Sequence, residues 1–156
     1  MSKLEYRLFD EAGGYPVLYY YSAIKPEEAG ARFACDYFTK ESTVYEKTSC
    51  AIEPETNVIY VKAVQSETAL APNPRSTVGM GYVILELREF DEQKNYPLIQ
   101  SVECPNLNEL ILYLQSDFIT VSGVEWERSS TEVDEDRQVY VLYVKKPTEG
   151  NADEYE

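Results

Sequence analysis

A chain of 156 residues with 44% hydrophobic and 27% charged side chains is long enough for one globular body and too rich in apolar residues to be disordered. Its 28 acidic residues against 14 basic ones leave a formal net charge of −14, a field that opposes direct contact with nucleic-acid backbones and anionic membranes. Histidine is absent, which removes Ser-His-Asp and Cys-His catalysis and His-based zinc sites.

The dominant pattern is internal. A shift of 81 residues lays Glu5-Tyr-Arg-Leu-Phe-Asp-Glu and Tyr15-Pro16 over Glu86-Leu-Arg-Glu-Phe-Asp-Glu and Tyr96-Pro97. It runs without a gap from Leu4 to Glu55, with 13 identities in 52 positions. Fixed-period self-similarity of this kind reads as a tandem duplication. The expected organisation is a first repeat over residues 1–64, a linker over 65–78, a second repeat over 79–146, and a disordered acidic tail over 147–156.

In each repeat the period of the apolar residues changes from two to helical and back. Leu4, Tyr6 and Leu8 alternate with Glu5 and Arg7, and a turn at Gly13-Gly14 leads into Pro16-Val-Leu-Tyr-Tyr-Tyr. Lys94-Asn95 replaces the glycine pair in the second repeat, and Asn tolerates positive φ, so the turn is kept. A helix is predicted from Pro26, with Ala29, Phe33, Ala34 and Tyr37 as its apolar stripe. Its counterpart starts at the N-cap Asn106 and runs through Leu110, Ile111, Leu112 and Leu114. Gly30 lies inside the first helix, at a cost of about 1 kcal/mol relative to alanine.

Hairpins follow over residues 43–64 and 124–146. In their last strands Ile59, Val61 and Ala63 fall on Tyr140, Leu142 and Val144, a face apolar in both repeats and therefore core. The opposite face is also largely apolar, which calls for a second cover, such as the other repeat. The fold class predicted is α+β. Two ββαββ units, each an antiparallel four-stranded sheet with one helix, would be related by a pseudo-twofold axis and packed into one compact body. Free edge strands would allow a monomer or a homodimer.

Candidate interaction residues come from two clusters. Tyr19, Tyr20 and Tyr21 match Gln100, Ser101 and Val102, so this aromatic run belongs to the first repeat alone, and Tyr20 falls on its more polar face. Glu132, Asp134, Glu135 and Asp136 mark a hairpin tip that reads as solvated, without the glycine and distal glutamate of a calcium loop. Tyr45 with Lys47, and Trp126 with Arg128, pair an aromatic with a cation on one strand face. Surrounding glutamates argue for local cation–π packing rather than stacking on single-stranded nucleic acid. Cys35, Cys50 and Cys104 read as buried reduced thiols.

No catalytic, cofactor-binding or metal-ligating residues emerge. With no run of about 18 apolar residues and no apolar leader, the expected protein is cytoplasmic. It is expected to be a non-enzymatic binding or regulatory protein acting through contacts with a protein partner, plausibly a basic one. The alternatives are a small-molecule binder with a tyrosine-lined pocket between the repeats, and an acidic mimic of nucleic acid that occupies a basic partner.

Overall fold

The computed structural model describes residues 1–70 and 83–147, so the predicted linker from residue 71 onward and the predicted tail from residue 148 lie outside the described residues. Strand β1 (Ser2–Leu8) buries Leu4 and Tyr6 and pairs antiparallel with β2 (Val17–Ile24). Helix α1 (Pro26–Phe33) opens on proline with Glu27 and Glu28 in its first turn, where the helix dipole favours carboxylates. β3 (Tyr37–Lys40), β4 (Thr43–Ile52) and β5 (Asn57–Ala63) form an antiparallel meander, and β5 returns parallel to β1.

After residue 82 come β6 (Val83–Glu89), a 3₁₀ turn (Glu92–Lys94) and β7 (Leu98–Cys104). Helix α2 (Leu107–Gln115) follows, capped by the Asn106 side chain, and then β8 (Phe118–Val121), β9 (Val124–Asp134) and β10 (Val139–Lys145). Asn95 takes φ 56° where Gly14 takes φ 72°, the left-handed geometry expected of both turns.

The strands make one mixed ten-stranded sheet in the order β2-β1-β5-β4-β3-β9-β10-β6-β7, with β8 also paired to β9. This corrects the expectation of two antiparallel four-stranded sheets. The sheet is single, and β1–β5, β6–β10 and β3–β9 are parallel pairs. The short strands β3 and β8 carry the difference. Tyr37 is not on the helical stripe but begins β3, because α1 stops at Phe33, whose carbonyl is taken by Lys47 Nζ at 2.7 Å.

Nor is the junction between the halves symmetric. β3 has neighbours on both sides, β4 and β9, whereas β8 pairs with β9 alone. The expected register of the last strands also moves. Tyr6 faces Ile59 and Leu87 faces Leu142, so Ile59 corresponds to Leu142 and not Tyr140. The hairpin of β9 and β10 is one residue pair longer, ending in Asp134 opposite Val139. An offset of two keeps every side chain on its face, so the inward set remains apolar.

Both helices lie over one face of the sheet. Leu4, Tyr6, Ile59 and Val61 from the first half join Leu85, Leu87, Leu142 and Val144 from the second in one buried cluster, with Leu110 and Leu114 of α2. Among the described residues the other face carries no helix. There Val139, Val141 and Tyr143 form a small cluster with the partly buried Ile84 of β6 and Tyr96, and Tyr37 and Val44 of the first half share a pocket with Tyr143. Among the described residues no helix is long and apolar enough to cross a membrane.

Two measurements test this architecture. A β-carbon at Gly30 would meet nothing nearer than Ile111 Cδ1 at 4.0 Å, so Gly30→Ala should raise unfolding free energy by about 0.5–1 kcal/mol in urea titrations. A loss of stability would show that close helix packing demands the glycine. Because the core cluster draws on both halves, fragments 1–78 and 79–156 should each melt without a cooperative transition. A sharp transition in either would refute the shared core.

Candidate functional site

The acidic hairpin that closes β9 is the joint of the molecule, and this corrects its reading as a solvated tip. Glu132 and Asp134 are only 6% and 1% exposed, Glu135 is half-buried, and Asp136 alone is open to solvent. The physical reason is β3, which pairs along β9 from Glu132 to Asp134 and brings first-half donors to the carboxylates. Thr39 Oγ1 donates to Glu132, Lys40 Nζ lies 2.9 Å from Glu135, and the amides of Glu41 and Ser42 donate to Asp136 at 2.7 and 2.8 Å. Asp134 turns to Arg137, accepting from its Nε at 2.7 Å and its amide at 3.1 Å, while Arg137 Nη1 reaches Glu86 at 2.8 Å.

The joint is closed further by Asp36 and Thr131. The Asp36 carboxylate accepts from the Thr131 amide at 3.0 Å and its hydroxyl lies 3.2 Å away, while the Asp36 amide donates back to the Thr131 carbonyl at 3.0 Å. The 81-residue shift sets Cys50 against Thr131 and Asp117 against Asp36. Cys50 is exposed, against expectation, and the Asp117 side chain is 81% exposed.

The structure joins part of the two predicted clusters. Tyr21 donates its hydroxyl to Glu135, and Tyr19 donates to Glu41 at 3.0 Å while packing edge-on against Phe38. Tyr20 stays apart, 53% exposed, on the outer face of edge strand β2. The paired cations Lys47 and Arg128 do not lie over their neighbouring rings. Lys47 bonds the Phe33 carbonyl, and Arg128 Nη1 reaches the Leu114 carbonyl at 3.4 Å, so each neutralises a helix C-terminus.

On the helix-free side the joint holds a small pocket of about 60 Å³, and none of the Tyr19–Tyr21 run lines it. It is lined by Tyr37, Phe90, Tyr96 and Tyr143, with Glu132 inside and Glu67 at the rim. Phe90, Tyr96 and Tyr143 form a triad with ring centroids 5.7, 6.2 and 5.3 Å apart, and the Tyr96 hydroxyl donates to Glu67 at 3.4 Å. Tyr96 sits at φ 51°, a conformation bulky residues seldom adopt, and its ring is held by the triad. The repeated Phe-Asp-Glu-x3-Tyr run signals the triad in the sequence, since Phe9, Tyr15 and Tyr60 pack the same way at 5.8, 6.3 and 5.4 Å. That Glu132 lies beside it is visible only once β3 and β9 are paired.

Glu86 and Glu132 show what a partner does to a buried carboxylate. Burial pushes both upward, but Arg88 and Arg137 outweigh it at Glu86 and hold that group below the ordinary carboxylate range. Glu132 has only the neutral hydroxyls of Thr39 and Tyr143 in contact, the latter at 2.8 Å, so burial prevails and the group is held above that range. No lysine or arginine forms an ion pair with Glu132 among the described residues, and those residues hold no cluster fit for a metal ion.

A group whose folded-state pKa is raised carries its favourable balance below the unfolded pKa and loses it as pH rises through the folded value. Glu132 should therefore destabilise the fold progressively above the ordinary carboxylate range. Relative to wild type, Glu132→Gln should gain stability between pH 4.5 and 7.5, by about 1 kcal/mol or more, in paired urea titrations. A difference independent of pH would show that Glu132 titrates normally.

Comparison of the chain with protein-family models, with curated proteins and with solved structures finds no match.

Proposed function

We propose that this chain is a non-enzymatic, cytosolic binding protein that engages a basic protein partner, with a lysine or arginine side chain of that partner seated in the pocket of Glu132. The observation that carries the reading is a buried carboxylate without a cation partner among the described residues, set beside aromatic rings inside a pocket in a chain of net charge −14. Aromatic faces attract ammonium and guanidinium groups, and a buried carboxylate gains most from a charged hydrogen-bond donor. A volume of about 60 Å³ suits a side-chain head group and falls short of the several hundred Å³ usual for whole small molecules. The surrounding negative field would steer a basic partner towards the site.

The duplication belongs to the same reading. We infer that one unit was copied in tandem and that the copies then diverged at their junction. The support is the 81-residue identity pattern, the matching strand pairings of β1 with β2 and β5 and of β6 with β7 and β10, and the two like aromatic triads. The copies diverge at Cys50 against Thr131, whereas Tyr60-Val61-Lys62 and Tyr143-Val144-Lys145, matched by their pairing to β1 and β6, are identical.

The test is fluorescence anisotropy with a labelled decapeptide rich in lysine and arginine, at low and moderate salt. Wild type should bind, and Glu132→Gln and Tyr96→Ala should each bind about tenfold more weakly, a difference of about 1.4 kcal/mol. Binding by wild type should also release a proton as Glu132 ionises, read by calorimetry in buffers of different ionisation enthalpy. Equal affinity in wild type and Glu132→Gln would reduce the interaction to general surface charge and sink the proposal.

A further inference from the structure

We propose that the pocket of Glu132 selects a lysine of the partner that carries one or two methyl groups, in preference to unmodified, trimethylated or acetylated lysine. The proposal rests on the reading of this pocket as the seat of a basic side chain, and it names the chemical form of that side chain.

The whole lining bears on the choice. The sheet makes the floor, where Tyr37 lies opposite Glu132 across the seam and Ser130 lies opposite Tyr143 across β9 and β10. Phe90 and Tyr96 join it from the turn between β6 and β7, and Glu67 joins it from the segment after β5. The rings of Phe90, Tyr96 and Tyr143 lie in three different planes, 48°, 84° and 67° apart. Tyr37 packs against none of the three among the described residues, so open space separates it from the triad. Of the ten lining residues six are aromatic or aliphatic, the others are Glu67, Glu132, Thr68 and Ser130, and none of those described is basic.

Hydrogen-bonding capacity narrows the occupant. One Glu132 oxygen accepts from Thr39 and the other from Tyr143, and the Glu67 carboxylate accepts from Tyr96. Each carboxylate oxygen has two lone-pair sites, so Glu132 keeps one place on each. A bare ammonium brings three N–H groups on a strongly hydrated nitrogen, and any of them turned to a ring or an aliphatic wall loses its water without gaining an acceptor. An arginine brings five, in a fixed fork. Methylation removes donors, keeps the charge and offers the rings an apolar surface that carries part of it. With three methyl groups no N–H is left for the buried carboxylate, and acetylation abolishes the charge. Size agrees, because an ammonium is close to a water molecule, about 30 Å³, and would fill only half of a pocket of about 60 Å³.

The experiment is fluorescence anisotropy on the intact protein with a labelled arginine-rich decapeptide whose single central lysine is unmodified, mono-, di- or trimethylated, or acetylated. The acetylated form measures general surface attraction. The mono- or dimethylated form should bind at least about fivefold more tightly than the unmodified and trimethylated forms, and the acetylated form should bind most weakly. Glu132→Gln should weaken binding of the dimethylated peptide and erase its advantage over the trimethylated one. Tyr37→Leu should erase its advantage over the unmodified one; if that variant does not fold, Glu132→Gln decides alone. Dimethylammonium chloride at about 1 mM should leave most of the dimethylated peptide bound, since so few atoms bind weakly. Full displacement would assign the pocket to a small free amine and overturn the proposal, as would trimethylated peptide binding as tightly as dimethylated. If unmodified and dimethylated peptides bind alike and Glu132→Gln weakens both, the methyl preference falls while the basic-partner reading stands. If the acetylated form binds as tightly as all the others, both fall.

Discussion

The whole sheet hangs on a short parallel seam. β3 offers β9 three residue pairs, Tyr37 with Glu132, Phe38 with Val133 and Thr39 with Asp134, and that pairing is what makes two five-stranded halves one sheet. Three pairs are little on their own, since a backbone hydrogen bond contributes about 0.5–1.5 kcal/mol net. Asp36 and Asp136 reinforce the seam at its two ends with carboxylates that accept from backbone amides, and bonds to charged acceptors contribute roughly twice as much. The helix-face cluster then closes beneath, and the pocket of Glu132 exists because residues of the two halves meet along this line.

The seam also explains why like sequences do unlike things. Thr131 presents a hydroxyl that donates and accepts at once, and Asp36 uses it. Cys50 stands in the other half with a thiol, a weak donor, and Asp117 remains in solvent. The Asp36–Thr131 contact thus accompanies the strand with two neighbours and has no counterpart at Asp117, beside the strand with one. The extra residue pair of the second hairpin contributes as well, because it carries Glu135 and Asp136 past the end of β3 to Lys40, Glu41 and Ser42.

Much of the local structure was legible in the residues. Period-two patterning placed the long strands, Pro26 and Asn106 started the helices, and Asn95 replaced glycine in its turn. The four-residue strands were not legible, since Tyr37-Phe-Thr-Lys and Phe118-Ile-Thr-Val are too short for a period to declare itself and continue the apolar stripe of the preceding helix. The parallel pairings were hidden too, because their partners are set by non-local contacts. For the same reason Glu132 and Asp134 looked like tip residues: a carboxylate on a strand reads as solvated until its donors are known, and Thr39 and Arg137 are supplied by pairing and by a turn. Among the described residues, buried Glu86, Glu132 and Asp134 are nearly balanced by buried Arg32 and Arg137, so burial takes almost none of the −14 from the surface.

The distance in sequence across the seam sets an order of events. Asp36 and Thr131 are 95 residues apart, as are Lys40 and Glu135, so no joint contact can form until the last quarter of the chain is available. At translation speeds of about 5–20 residues per second, the first half waits on the order of 5–20 s with the outer edge of β3 unpaired. An open edge recruits other strands, and its length decides how readily. Four residues flanked by Asp36 and Glu41, with Lys40 at the end, make a poor template for a stranger. The brevity that leaves the seam thin in the finished protein is what guards the unfinished one against joining a neighbouring chain.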